Sequence, residues 1–152
     1  MSTSRPASRG RTSGPGRILV AVYAVLAIAA LGRSIFQIVD RFDEAPVAFS
    51  LSALAGIVYV VATLALALGW DRVAWVTIGF ELVGVLVIGT VSLIAPAVLG
   101  LDSIDPFGRE ATVWSVYGAG YLCVPLALPI IGLLYLWRLR RAANTAATPS
   151  AA

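Results

Sequence analysis

The chain has 152 residues, 59% of them hydrophobic and 12% charged, with a formal net charge of +3. Soluble domains carry roughly 45 to 50% apolar and about 25% charged residues, so a water-soluble core is excluded. The apolar residues instead fall in four runs long enough to cross a hydrocarbon layer of about 30 Å at about 1.5 Å per residue. The fold class that follows is all-α: a polytopic membrane protein, built as an antiparallel four-helix transmembrane bundle.

There is no histidine and a single cysteine, Cys123. An internal disulfide, a histidine metal site and the commonest general base are therefore all ruled out. No Gly-rich phosphate loop, nucleophile elbow or paired-carboxylate site is present. The chain is read as non-enzymatic, with no catalytic residue, cofactor or metal, and with no signal for nucleic acid.

In chain order, residues 1–16 form a polar stretch rich in Ser, Gly, Pro and Arg, expected to be a disordered tail. The transmembrane domain covers 17–138. Its predicted spans are Ile18 to Val39, Val47 to Gly69, Val73 to Ile94 and Trp114 to Trp137, followed by a second disordered tail over 139–152. A cleaved signal peptide is the rival reading of the first run, which is too long for a usual signal core. Trp70, Trp75, Trp114 and Trp137 all fall at predicted span ends, where indoles favour the interface.

Arginine gathers at the two tails: Arg5, Arg9, Arg11 and Arg17 at the first, Arg138, Arg140 and Arg141 at the last. The loops after the first and third spans are acidic. Both termini are therefore expected on the cytoplasmic side of the cell membrane. The acidic residues Asp102, Asp105 and Glu110 lack the ordered spacing of a calcium loop and read as solvated.

The first span carries Arg33, Gln37 and Asp40 on one face. Arg33 either stays at the interface with Asp40 or lipid headgroups, the preferred reading, or turns inward towards Glu81. The second span sets Ser52, Gly56, Tyr59 and Thr63 on one face, and Ala48, Ser52 and Gly56 give the small-residue spacing that lets helices approach closely. This face is a candidate for a homo-oligomer or for contact with another membrane protein.

Glu81 is the residue that most needs explaining. It lies eight residues beyond Val73, about 12 Å into the membrane, where an ionisable side chain costs roughly 2.5 to 3.5 kcal/mol on insertion scales. Tyr59 is at matching depth on the neighbouring span, and Thr77 and Gly84 share the face of Glu81. Pro125 and Pro129 are expected to kink the fourth span beside them. Glu81 then has two readings: a carboxylate that binds a cation or carries a proton, or an acid hydrogen-bonded to Tyr59, Thr77 or Arg33 that fixes helix register.

The segments "SLSALAGIVYVVAT", "VAWVTIGFELVGVLVIGT" and "ATVWSVYGAGYLCVPLALPIIGLLYLWR" resemble those of small, uncharacterised four-span integral membrane proteins of actinobacteria. That resemblance covers about Arg17 to Arg138 and implies no activity and no catalytic residue. Compact multidrug exporters also have four spans, but their membrane glutamate is in the first, whereas Glu81 is in the third. The function expected from the sequence is an accessory or structural partner in the cytoplasmic membrane. The alternative is a small proton- or cation-coupled transporter or channel component using Glu81, tuned by Tyr59 and Arg33.

Overall fold

The structure, a computed structural model, describes residues 14–101, 107–108 and 111–147. Four helices dominate it: α1 (Gly14–Arg41), α2 (Pro46–Leu68), α3 (Asp71–Ile94) and α4 (Val124–Ala147). Short 3-10 turns at Phe42–Glu44, Pro96–Leu99 and Ser115–Tyr121 lie in the connections, and no strand occurs among the described residues. The chain is an all-α membrane bundle. Helices α1, α2 and α3 are each long and apolar enough to cross a bilayer, and the bent pair Ser115–Tyr121 and Val124–Ala146 makes a fourth crossing when taken as one broken span.

Local chemistry sets the boundaries. Pro46 opens α2, where its missing N–H would have had no helical partner in any case. Gly69 closes α2 in the left-handed conformation (φ 76°), and the amides of Gly69 and Trp70 both return to the Ala65 carbonyl. The two-residue step from Leu68 to Asp71 leaves α2 and α3 as antiparallel neighbours. One end of the bundle thus carries the α2–α3 turn, the start of α1 and the end of α4; the other carries the α1–α2 and α3–α4 connections. These are called the terminal end and the loop end below.

Packing runs round the bundle, α1 on α2, α2 on α3, α3 on α4 and α4 back on α1, so α1 and α3 face one another across it. The α1–α2 contact is the most extensive. Ala48, Ser52, Ala55, Gly56, Tyr59 and Ala62 are buried along α2, and a Cβ at Gly56 would stand 2.8 Å from Leu31 Cδ2 and 3.3 Å from the Leu31 amide nitrogen. At Gly56 the small-residue face assigned above to a partner is met by α1 of the same chain. Close approach across small residues gains van der Waals contact that lipid cannot match. The outward faces, with Val25, Ile28, Ile57, Val76 and Val83 exposed, are apolar as lipid contact requires.

The fourth position departs most from expectation. The predicted helix from Trp114 does not form: Val116, Tyr117 and Gly118 adopt left-handed φ of 49°, 58° and 76°, and Leu122 and Cys123 do so again at 55° and 57°. These breaks separate a 3-10 segment from α4 at a bend of 99°. Helix α4 starts at Val124, so Pro125 falls in its first turn rather than at a kink, where the ring costs no helical hydrogen bond. Pro129 alone is inside the helix. At the other end α4 continues through Ala147, beyond the residue where a disordered tail was expected. At the N-terminus Gly14 to Gly16 belong to α1, and residues 1–13, with Arg5, Arg9 and Arg11, lie outside the described residues.

Candidate functional site

Glu81 is wholly buried on α3, on the stripe Ala74, Ile78, Glu81, Val85, Gly89 and Ser92 that faces the bundle axis. Across the bundle the Tyr23 hydroxyl of α1 donates to Glu81 Oε2 at 2.7 Å. The other carboxyl oxygen, Oε1, is buried and has no hydrogen-bond partner among the described residues. Tyr59 of α2 stands beside this pair, its ring centroid 6.3 Å from that of Tyr23 at an interplanar angle of 56°. Its hydroxyl accepts a hydrogen bond of 3.1 Å from Trp114 Nε1. Four elements thus converge on one polar knot inside an apolar shell: α1, α2, α3 and the segment that precedes α4.

Glycines make room for it. A Cβ at Gly84 would lie 2.8 Å from Trp114 Cζ3, and one at Gly89 would lie 2.5 Å from Tyr117 Cδ1, so both rings rest directly on the α3 backbone. At Gly132 on α4 a Cβ would come within 3.5 Å of the Tyr23 hydroxyl, which places the α4 backbone behind the Tyr23–Glu81 pair.

The segment that delivers Trp114 is held by its own hydrogen bonds. Thr112 Oγ1 accepts from the amides of Trp114 (3.1 Å) and Ser115 (2.9 Å), while Ser115 Oγ accepts from the Thr112 amide (2.9 Å). This is the reciprocal logic of a capping box, with serine in place of the usual acid or amide. Ser92 Oγ of α3 accepts from the Val116 amide at 2.8 Å. Nearer the loop end, Arg33 donates to the carbonyls of Gly108 (3.1 Å) and Ala111 (2.9 Å).

The residues singled out in the sequence separate into groups. Glu81 and Tyr59 meet, but the carboxyl takes its hydrogen bond from Tyr23 and the Tyr59 hydroxyl is engaged by Trp114. Arg33 spends its guanidinium on loop carbonyls close to the end of the bundle, a shorter reach than the midplane demands. Thr77 Oγ1 bonds back to the Val73 carbonyl and Thr63 Oγ1 to the Tyr59 carbonyl, both within their own helices. Gln37 is buried towards the loop end of α1. Ser52 is fully buried, and its hydroxyl has no partner among the described residues. Asp102, Asp105 and Glu110 lie outside the described residues, and among those described no three His, Cys, Asp or Glu side chains gather as a metal site would need.

Two residues of the knot escaped the sequence reading. Tyr23 was detectable: it shares an α1 stripe with Ala30 and Gln37 at seven-residue spacing and lies five residues into its predicted span, a depth within reach of Glu81. Trp114 was expected at the interface. It is buried instead because Tyr59 satisfies its indole N–H, the usual condition for placing tryptophan in a core. In comparisons with known proteins, no family model, no curated protein and no solved structure matches the chain.

Proposed function

We propose that this chain is a small proton- or cation-handling component of the cell membrane, with Glu81 as the group that takes up the cation. The observation that carries this reading is the half-satisfied carboxyl: Oε2 accepts from Tyr23, whereas Oε1 is buried with no partner among the described residues. An unsatisfied polar atom in hydrocarbon is costly, and ionisable residues at such depth commonly mark ion or proton pathways. The excess of arginine at the terminal end (Arg17, Arg72, Arg138, Arg140 and Arg141 among the described residues) supports an orientation with both termini in the cytoplasm.

The second reading, an accessory or structural partner related to the small four-span proteins of actinobacteria, is favoured by one feature. The Tyr23–Glu81 bond ties α1 to α3, two helices that face one another across the bundle, so the acid can serve as a core lock. Proton flux into sealed vesicles holding a pH-sensitive dye separates the two. Flux carried by the wild type and abolished in Glu81→Gln is the expected result. Absence of flux, or flux unchanged by that substitution, removes the transport reading and leaves the structural one.

A further inference from the structure

The buried polar side chains of the bundle are not spread evenly about Glu81. Among the described residues, besides Glu81 itself, they are Ser34, Gln37, Ser52, Ser92, Thr112 and Ser115. On α1, Ser34 and Gln37 lie on the loop-end side of Tyr23. On α2, Ser52 lies on the loop-end side of Tyr59, and on α3, Ser92 lies on the loop-end side of Glu81. Thr112 and Ser115 belong to the segment that fills the same half of the fourth position. On the terminal side of Glu81 the interior holds Leu19, Ala65, Leu66, Ala74, Ile78 and Leu136; among the described residues no hydroxyl, amide or charge is fully buried there other than those of Tyr23 and Tyr59, and the half-buried Thr63 hydroxyl is bonded to its own helix. Among the described residues, one half of the core is dotted with hydrogen-bonding side chains and the other is mostly apolar.

We propose that in this conformation Glu81 exchanges a proton with the loop end only, through the hydroxyl- and amide-bearing half of the bundle, and that Trp114 is the side chain that gates the exchange. The inference rests on the reading of Glu81 as a cation-accepting group and narrows the cation to a proton. Neutral hydroxyls can pass a proton by hydrogen bonding, whereas a bare metal ion would demand several more oxygen ligands around the one carboxylate. Trp114 stands at the boundary between the two regions. Its ring rests on Gly84, one turn from Glu81 on the loop-end side, and its Nε1 is bonded to Tyr59. The segment that holds it is neither α-helical nor relaxed: Val116 and Tyr117 occupy the left-handed region that residues with a Cβ avoid. It is anchored through Ser92 and through Arg33 at Ala111, contacts that can persist while the indole swings away.

The test uses the full chain in sealed vesicles, with orientation read by trypsin at Arg140 and Arg141. A charged, membrane-impermeant carbodiimide is added outside, and adducts at Glu81 are measured by mass spectrometry. Exposed Asp40, Asp43 and Glu44 report exposure of the loop end, and Asp71 that of the terminal end. The proposal expects Trp114→Ala to accelerate adduct formation at Glu81 by roughly tenfold, the change in open population expected on losing a buried hydrogen bond with its packing. That acceleration should occur only where the loop end faces the reagent. Trp114→Phe, which keeps an aromatic ring on Gly84 and leaves a smaller cavity than alanine while losing the bond to Tyr59, should give a smaller rise of the same sidedness. Equal labelling from both ends, labelling from the terminal end, or no response to either substitution overturns the proposal. Loop-end labelling in a protein that shows no proton flux supports the access path while removing the transport reading. Glu81-dependent flux with labelling from the terminal end does the reverse.

Discussion

Tyr23 and Glu81 join helices that face one another across the bundle, and the hydrogen bond between them, 2.7 Å long, leaves one carboxyl oxygen over. Interhelical hydrogen bonds inside membranes average about 0.6 kcal/mol and reach about 1.7, whereas orphaning a buried polar group costs about 1 to 3 kcal/mol. Tyr23→Phe should therefore destabilise the protein by more than the pair itself is worth. A double-mutant cycle with Glu81→Leu, which has no acceptor for the Tyr23 hydroxyl, read by unfolding in bilayers, should return a coupling of about 0.5 to 1.5 kcal/mol. A coupling of zero would mean that the bond does not form in the membrane.

Gly56→Val should act on folding and not on assembly. The added side chain would meet Leu31, including its backbone nitrogen, at the most extensive helix contact in the bundle. Overpacking of this kind costs about 1 to 3 kcal/mol. The expected outcome is a lower unfolding midpoint with an unchanged oligomer mass in native-like bilayers. A change of mass at constant stability would return the small-residue face to an intermolecular role.

Arg33→Gln should loosen the loop end while leaving the knot at Glu81 in place. Two charged hydrogen bonds to the Gly108 and Ala111 carbonyls are lost, each of a type worth about 1.5 to 3 kcal/mol when buried and less here because Arg33 is only partly covered. Faster amide exchange at Ala111 to Ser115, with the Tyr23–Glu81 coupling unaltered, is the expected result. Lysine should rescue only in part, since it is a compact point charge without the planar fork of arginine.

Val116→Gly should stabilise the chain. A left-handed residue with a Cβ carries about 1 to 2 kcal/mol of strain, and glycine removes it; the greater freedom of glycine in the unfolded chain takes back about 0.4 to 1 kcal/mol. The balance is a gain of about 0.5 to 1 kcal/mol in thermal or chemical unfolding. A loss of similar size would show that the Val116 side chain contributes more by packing than it costs in strain.

Much of the bundle was legible in the residues because composition and punctuation both act locally. Apolar runs of the right length became α1, α2 and α3, and Pro46 and Gly69 mark the ends of α2 as their stereochemistry requires. Glu81 also stood out, since an acid in an apolar run is conspicuous. Its partner did not, because a tyrosine in a span draws no attention until depth is compared helix by helix. The fourth position was misread for a different reason: hydropathy reports what a segment is made of, not its conformation. "WSVYGAGYL" is uncharged and continues directly into the apolar stretch of α4, and only the Thr112–Ser115 pair and the glycines of "YGAGY" point to a turn that ends before α4 begins.

The short reach of α4 bears on how the molecule is assembled. From Val124 to Trp137 its apolar stretch holds 14 residues, about 21 Å of helix, which falls short of a hydrocarbon core of about 30 Å. Such a stretch is a poor membrane insert by itself. The remainder of the crossing comes from residues 111 to 123, whose amides at Trp114, Ser115 and Val116 find partners only once Thr112 is in place and Ser92 of α3 is already embedded. Taken as one broken span, the fourth position therefore leans on the first three helices, and the apolar stretch of α4 depends on their surface where a longer helix would stand alone.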